Sequence, residues 1–168
     1  MGIQRYSASL DTTITNAFKM NLVTRATGSN MGLADTLEVF SIYGQESSAS
    51  SELSRILIQF PVSDITADRA AGNIPASGSK NLKFFLRMYN AEHPFTVPKN
   101  FDLNVLAITR SWEEGFGLDM DEYTDLTYDD VGSNWINAAS GSNNWSSTGG
   151  DYFTDTSSSF TASFIDGT

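Results

Sequence analysis

The chain has 168 residues, 40% of them hydrophobic and 18% charged, with 20 acids against 10 bases and a net charge of −10. That length suits one domain with its own core, and that composition suits a folded chain, not a disordered one. So acidic a surface repels nucleic-acid phosphates and anionic lipid, so neither nucleic acid nor membrane is an expected partner.

The elements read as strands separated by turns. "DTTITNAF" (11–18) mixes β-branched and polar residues. "DTLEVFSIYG" (35–44) and "SRILIQFPV" (54–62) alternate with a period of two, Ile56, Ile58 and Phe60 falling on one face and Arg55, Leu57 and Gln59 on the other. "VSDITADRAAG" (62–72) is the one short helix expected, with Ser63 or Asp64 as its cap and Gly72 as its stop. "NLKFFLRMYNAEH" (81–93) sets Leu82, Phe84, Leu86 and Met88 against Lys83, Phe85, Arg87 and Tyr89, and "FDLNVLAITRSW" (101–112) alternates likewise. This is the pattern of half-buried antiparallel strands. Gly, Ser, Asn and Pro clusters punctuate them.

The last third is rich in Ser, Asn, Thr and Gly yet keeps Trp145, Tyr152, Phe153, Phe160, Phe164 and Ile165. Disorder has no need of these aromatics, so loops plus short strands at 152–153 and 160–165 are expected. The abrupt stop at "FIDGT" reads as the end of an N-terminal fragment of a longer protein. Many short strands in one unit, residues 1–168, predict an all-β, antiparallel two-sheet sandwich, with 111–151 a long acidic and aromatic loop region inside it.

Charge is unevenly placed. Residues 1–110 carry ten bases and nine acids; residues 111–168 carry eleven acids and no base. Eight of those acids fall between Glu113 and Asp130. There is no cysteine, which excludes disulfides, thiolate metal sites and a cysteine nucleophile. No run of eighteen apolar residues would span a membrane. The N-terminus lacks the pattern of a secretory signal, so synthesis in the cytosol is expected.

The order "DTTI", "NMGLADTLEV", "SRILIQFPVSDI", "NLKFFLRMYNAEH" and "FDLNVLAITRSWEEGFG" resembles the DNRLRE-type modules, jelly-roll β-sandwiches related to carbohydrate-binding modules. The likeness covers roughly 11–117, and its order is more specific than any single motif. The later "GLDMDEYTDLTYDDVGSNWINAASGSNNWSSTGGDY" is similar to versions of this module in structural proteins of marine tailed phages. The resemblance implies a jelly-roll-like fold and a place in a virion, as capsid decoration, tail or fibre protein, with itself or other virion proteins as partners. It also implies an alternative: a calcium-dependent module that binds cell-surface polysaccharide, with an extracellular location.

Calcium takes six to eight oxygens at flexible geometry. Asp119, Asp121, Glu122 and Asp125 are the candidate ligands, in a loop that lacks the glycine and twelfth-position glutamate of an EF-hand. A solvated acidic loop and a contact with a basic partner surface stay open beside calcium. Trp135, Trp145, Tyr123 and Tyr152 are candidate sugar-stacking rings, against the alternative that they pin loops. Trp112, at a strand end, is expected in the core. Catalysis finds little support. Glu113 and Glu114 are adjacent, so on a strand they point to opposite faces and cannot flank one bond. The one histidine, His93, precedes a proline at a strand end or turn, and no G-x-S-x-G elbow exists to serve it. The expectation is a non-enzymatic module.

Overall fold

A computed structural model describes residues 2–43, 51–92, 100–118, 131–155 and 160–164. Among them are seven strands and one short helix, and every strand pair is antiparallel. No sheet among the described residues closes into a barrel.

Strand β1 (Leu10–Thr15) and β3 (Ser51–Gln59) form the central ladder. Their register runs from Leu10 opposite Gln59 to Thr15 opposite Ser54. Both are rich in β-branched residues, which pack well on a pleated surface. Strand β2 (Ser41–Tyr43) adds to the far side of β3, giving the order β1–β3–β2. Among the described residues of the expected 35–44 strand, only Ser41–Tyr43 are paired. The residues before β2 lie along β3 through side chains: Ser54 Oγ donates to Glu38 O at 2.9 Å and accepts from Phe40 N at 2.7 Å.

Helix α1 (Val62–Ala70) follows where it was expected, with one correction at its start. Pro61 holds the N-cap position and no side chain caps it. Ser63 Oγ bonds the Asp64 carboxylate instead, at 3.3 Å. The end is as expected: Gly72 has φ +75°, a left-handed conformation that glycine adopts without a Cβ clash. Gly72 N donates to Arg69 O at 3.1 Å and Asn73 N to Asp68 O at 2.9 Å, the paired bonds of a Schellman motif. The Asp68 carboxylate then accepts from Tyr6 Oη at 2.6 Å, tying the N-terminal arm to the helix.

A second sheet pairs β4 (Phe101–Val105) with β7 (Phe160–Phe164), and a small hairpin pairs β5 (Asn137–Ala139) with β6 (Asn143–Asn144). Beyond β4, an isolated bridge joins Ile108 to Tyr152. The tail strand therefore stands near its expected place. Hairpin β5–β6, inside the Ser/Asn/Gly-rich stretch, was not expected.

The core is Ile14 from β1, Leu57 from β3, and Trp135, Ala138 and Trp145 from around the hairpin, with Leu53, Ile108 and Trp112 packed against it. Trp112 takes its expected core place. Residues 131–155 thus contribute core and hairpin within the span read as a loop region. The interior is also unusually polar: Thr12, Thr13, Thr15, Asn30 and Asn134 are fully buried. Backbone groups bond most of their polar atoms, although Asn134 Nδ2 has no partner among the described residues. Thr13 Oγ1 accepts from Glu38 N at 3.0 Å, and Thr15 Oγ1 donates to Leu53 O at 2.9 Å.

Candidate functional site

Asn30 organises the foot of the acidic run. Its Nδ2 donates to Glu114 O at 2.8 Å and Ser133 O at 2.7 Å, while its Oδ1 accepts from Gly117 N at 2.7 Å and Gly32 N at 3.2 Å. One amide thus clamps the segments on both sides of 119–130. Close approach is needed there. Gly115 has φ +83°, and a Cβ on it would lie 2.5 Å from both Asn30 Oδ1 and Val131 O. Leu33 N donating to Gly117 O at 3.0 Å and Ser133 N donating to Glu113 O at 2.9 Å complete the neck.

The two glutamates beside this neck diverge, as adjacent strand-like residues should. Glu114 Oε1 accepts from Asp11 N at 2.8 Å. Glu113 Oε2 accepts from Ser140 N at 2.9 Å and from the Ser140 hydroxyl. The Ser140 hydroxyl first, then its amide, holds the Glu113 carboxyl below the ordinary carboxylate range. Both carboxylates bond separate parts of the chain.

Of the residues expected to hold calcium, Asp119, Asp121, Glu122 and Asp125 all lie outside the described residues, as do Tyr123 and His93. No cluster of three or more His, Asp or Glu suited to a metal occurs among the described residues. Trp135 and Trp145 are corrected: they are 7% and 5% exposed, in the core, and present no face to a sugar. Trp145 Nε1 donates to the buried Asn134 O at 2.9 Å, which fixes the indole facing inward. Tyr152 is half-buried, and the Arg55 guanidinium sits between rings, 5.0 Å from the centroids of both Tyr152 and Trp135. Arg55 also donates to Gly149 O.

Beside Tyr152 is a polar recess of about 380 Å³, lined by Thr109, Ser146, Ser147, Asp151, Tyr152 and Thr154 among others. The Asp151 carboxylate accepts from Ser146 N at 3.0 Å and Ser147 N at 3.1 Å and faces Arg110 Nη1 at 3.9 Å. The Ser146 amide first, then Ser147 and Arg110, keeps its carboxyl below the ordinary range.

A larger, mostly apolar groove of about 810 Å³ runs between β3 and β4. Leu53 and Leu57 line it from β3, Leu103 and Val105 from β4, and Leu86 and Met88 from the segment between α1 and β4. That segment is the described part, 81–92, of the strand expected at 81–93. Among the described residues it joins no ladder. Its outer residues stand in solvent: Phe84, Phe85 and Tyr89 are 65%, 85% and 80% exposed. Sequence reasoning saw the alternation here but gave these residues no functional role. The available signal was a run from Asn73 to Ala91 with three bases, no acid and six large apolar or aromatic side chains from Leu82 to Tyr89, broken only by Lys83 and Arg87.

Comparison with protein-family models, curated proteins and solved structures finds no match. No helix among the described residues is long and apolar enough to cross a membrane.

Proposed function

We propose that the chain is a non-enzymatic structural module that works by assembling with other protein chains, and that the assembly is a bacteriophage particle in which it serves as decoration, tail or fibre component. The observation that carries the assembly reading is the exposed apolar run at 84–89. Folded monomers rarely leave contiguous aromatic surface in water. The jelly-roll-like sandwich rests on the resemblance of the 11–117 order to DNRLRE-type modules, and the virion on that of the later stretch, 117–152, to versions of the module in structural proteins of marine tailed phages. Light scattering on the purified chain, with calcium and then with a chelator, tests this. Ordered assemblies support it, and their loss on chelation would make the acids at 119–125 a metal-dependent contact. A monomer under both conditions would contradict it.

A second reading is a calcium-dependent carbohydrate-binding module, favoured by the hydroxyl-rich recess beside Tyr152 and Asp151. Calorimetric titration with polysaccharides, with and without calcium, checks it. Saturable heat lost in Tyr152→Ala supports it, and no heat with any glycan contradicts it.

A further inference from the structure

Arg55 stands on the core-facing row of β3, between Leu53 and Leu57, and is half-buried there. Its guanidinium lies 5.0 Å from the ring centroids of both Trp135 and Tyr152, and it donates to Gly149 O. These described partners are two ring faces and a carbonyl, with no carboxylate among them. Taking a charge out of water without an opposite charge is costly, and an apolar side chain would fill the same place at lower cost. Core packing alone therefore does not explain an arginine here. What arginine adds is a rigid planar group that stacks on a ring and donates hydrogen bonds at once, which lysine cannot match.

The backbone around Tyr152 is held by other bonds. Thr109 N donates to Asp151 O and Phe153 N to Ala107 O, each at 2.9 Å, on either side of the Ile108–Tyr152 bridge. Gly149 N donates to Trp135 O at 2.7 Å. Gly149 has φ +88° and passes so near Arg55 that a Cβ on it would lie 2.7 Å from Arg55 Nη1 and 2.9 Å from Trp135 Cζ2. To this frame Arg55 adds a support for the Tyr152 ring, which is half-buried and lines the polar recess with Asp151 and Ser146.

We propose that Arg55 is the positioning residue of the recess: its guanidinium fixes the Tyr152 ring against the Trp135 core, so that the recess presents a preset ring to a sugar. The inference rests on the carbohydrate reading and names the residue that orders its aromatic platform. Arg55 does not itself line the recess and acts through Tyr152. A ring held in place before the ligand arrives removes the cost of ordering it on binding.

The test is NMR of the full chain, wild type beside Arg55→Met, which keeps an apolar stem, and Arg55→Lys, which keeps the charge without the planar face. Circular dichroism checks that each variant is folded, and Tyr152→Phe assigns the ring signals. Wild type should show contacts between the Arg55 side-chain protons and the Tyr152 ring. In both variants the ring signals should move toward those of a freely rotating tyrosine, while the amides of Thr109 and Phe153 keep their protection from hydrogen exchange. Calorimetric titration with polysaccharide should show affinity reduced about two- to tenfold, the cost of ordering one side chain. Ring signals unmoved in both folded variants overturn the proposal, and so does full affinity with a displaced ring. If neither variant folds, the wild-type contact decides: its absence overturns the proposal. Wild type that binds no polysaccharide overturns the carbohydrate reading, while the ring signals still decide whether Arg55 holds Tyr152.

Discussion

Asn30 shows how a polar residue can act as a core residue. Its carboxamide holds four backbone groups from three segments, at 2.7–3.2 Å, with no exposure to water. Asn30→Ala would leave buried N–H and C=O groups unpaired, each costing about 1–3 kcal/mol. Urea unfolding should show a loss of about 2–4 kcal/mol; a loss too small to measure would mean that the neck is held by other contacts. Trp135 and Trp145 make the opposite point, since their rings sit in polar sequence yet are core. Trp135→Ala or Trp145→Ala should each cost about 3–5 kcal/mol in unfolding free energy. Fully stable variants that had lost only glycan binding would contradict the placement of these rings.

At the scale of elements, the N-terminal arm depends on the Tyr6–Asp68 bond. The Tyr6 hydroxyl first, then Asn73, holds the Asp68 carboxyl below its ordinary value, and the same bond raises Tyr6. A depressed folded pKa means that the contribution is present above the ordinary carboxylate value. It is lost as pH falls through the lowered one, so the arm should release below about pH 4. NMR amide shifts of residues 4–8 followed against pH should show this transition, and Tyr6→Phe should leave the arm released above as well as below it. An arm indifferent to both would contradict the tether. Helix α1 ends on Gly72 at φ +75°, so Gly72→Ala should destabilise by about 1 kcal/mol, read by thermal unfolding.

Elements also show what was legible. Strand β3 and the start of β4 could be read because their apolar residues alternate, and α1 because a polar run ends on glycine. The β5–β6 hairpin could not, because its neighbours Asn134 and Ser133 are buried by backbone bonds that hydropathy does not register. The run 81–92 has strand periodicity, but periodicity states which side chains share a face and not whether a ladder partner stands beside them. For the candidate sites, residue type alone suggested sugar binding for tryptophans among Asn, Ser and Gly; their depth became visible only when β1 and β3 were placed against them.

For the whole molecule, charge and apolar surface are both asymmetric. The bases end at Arg110 and the acids dominate after it. The exposed aromatic run lies in the basic half. In the proposed assembly, association between copies should weaken with salt where unlike charges meet, whereas an apolar contact alone would strengthen.

The most direct measurement is sedimentation velocity of the full chain over a concentration series, wild type beside Phe85→Ser/Tyr89→Ser. The account predicts that wild type forms larger species as concentration rises, while the folded variant remains a monomer. A wild type that stays monomeric throughout, or a variant that assembles as readily as wild type, would contradict the claim that this exposed run is where the protein meets its partner.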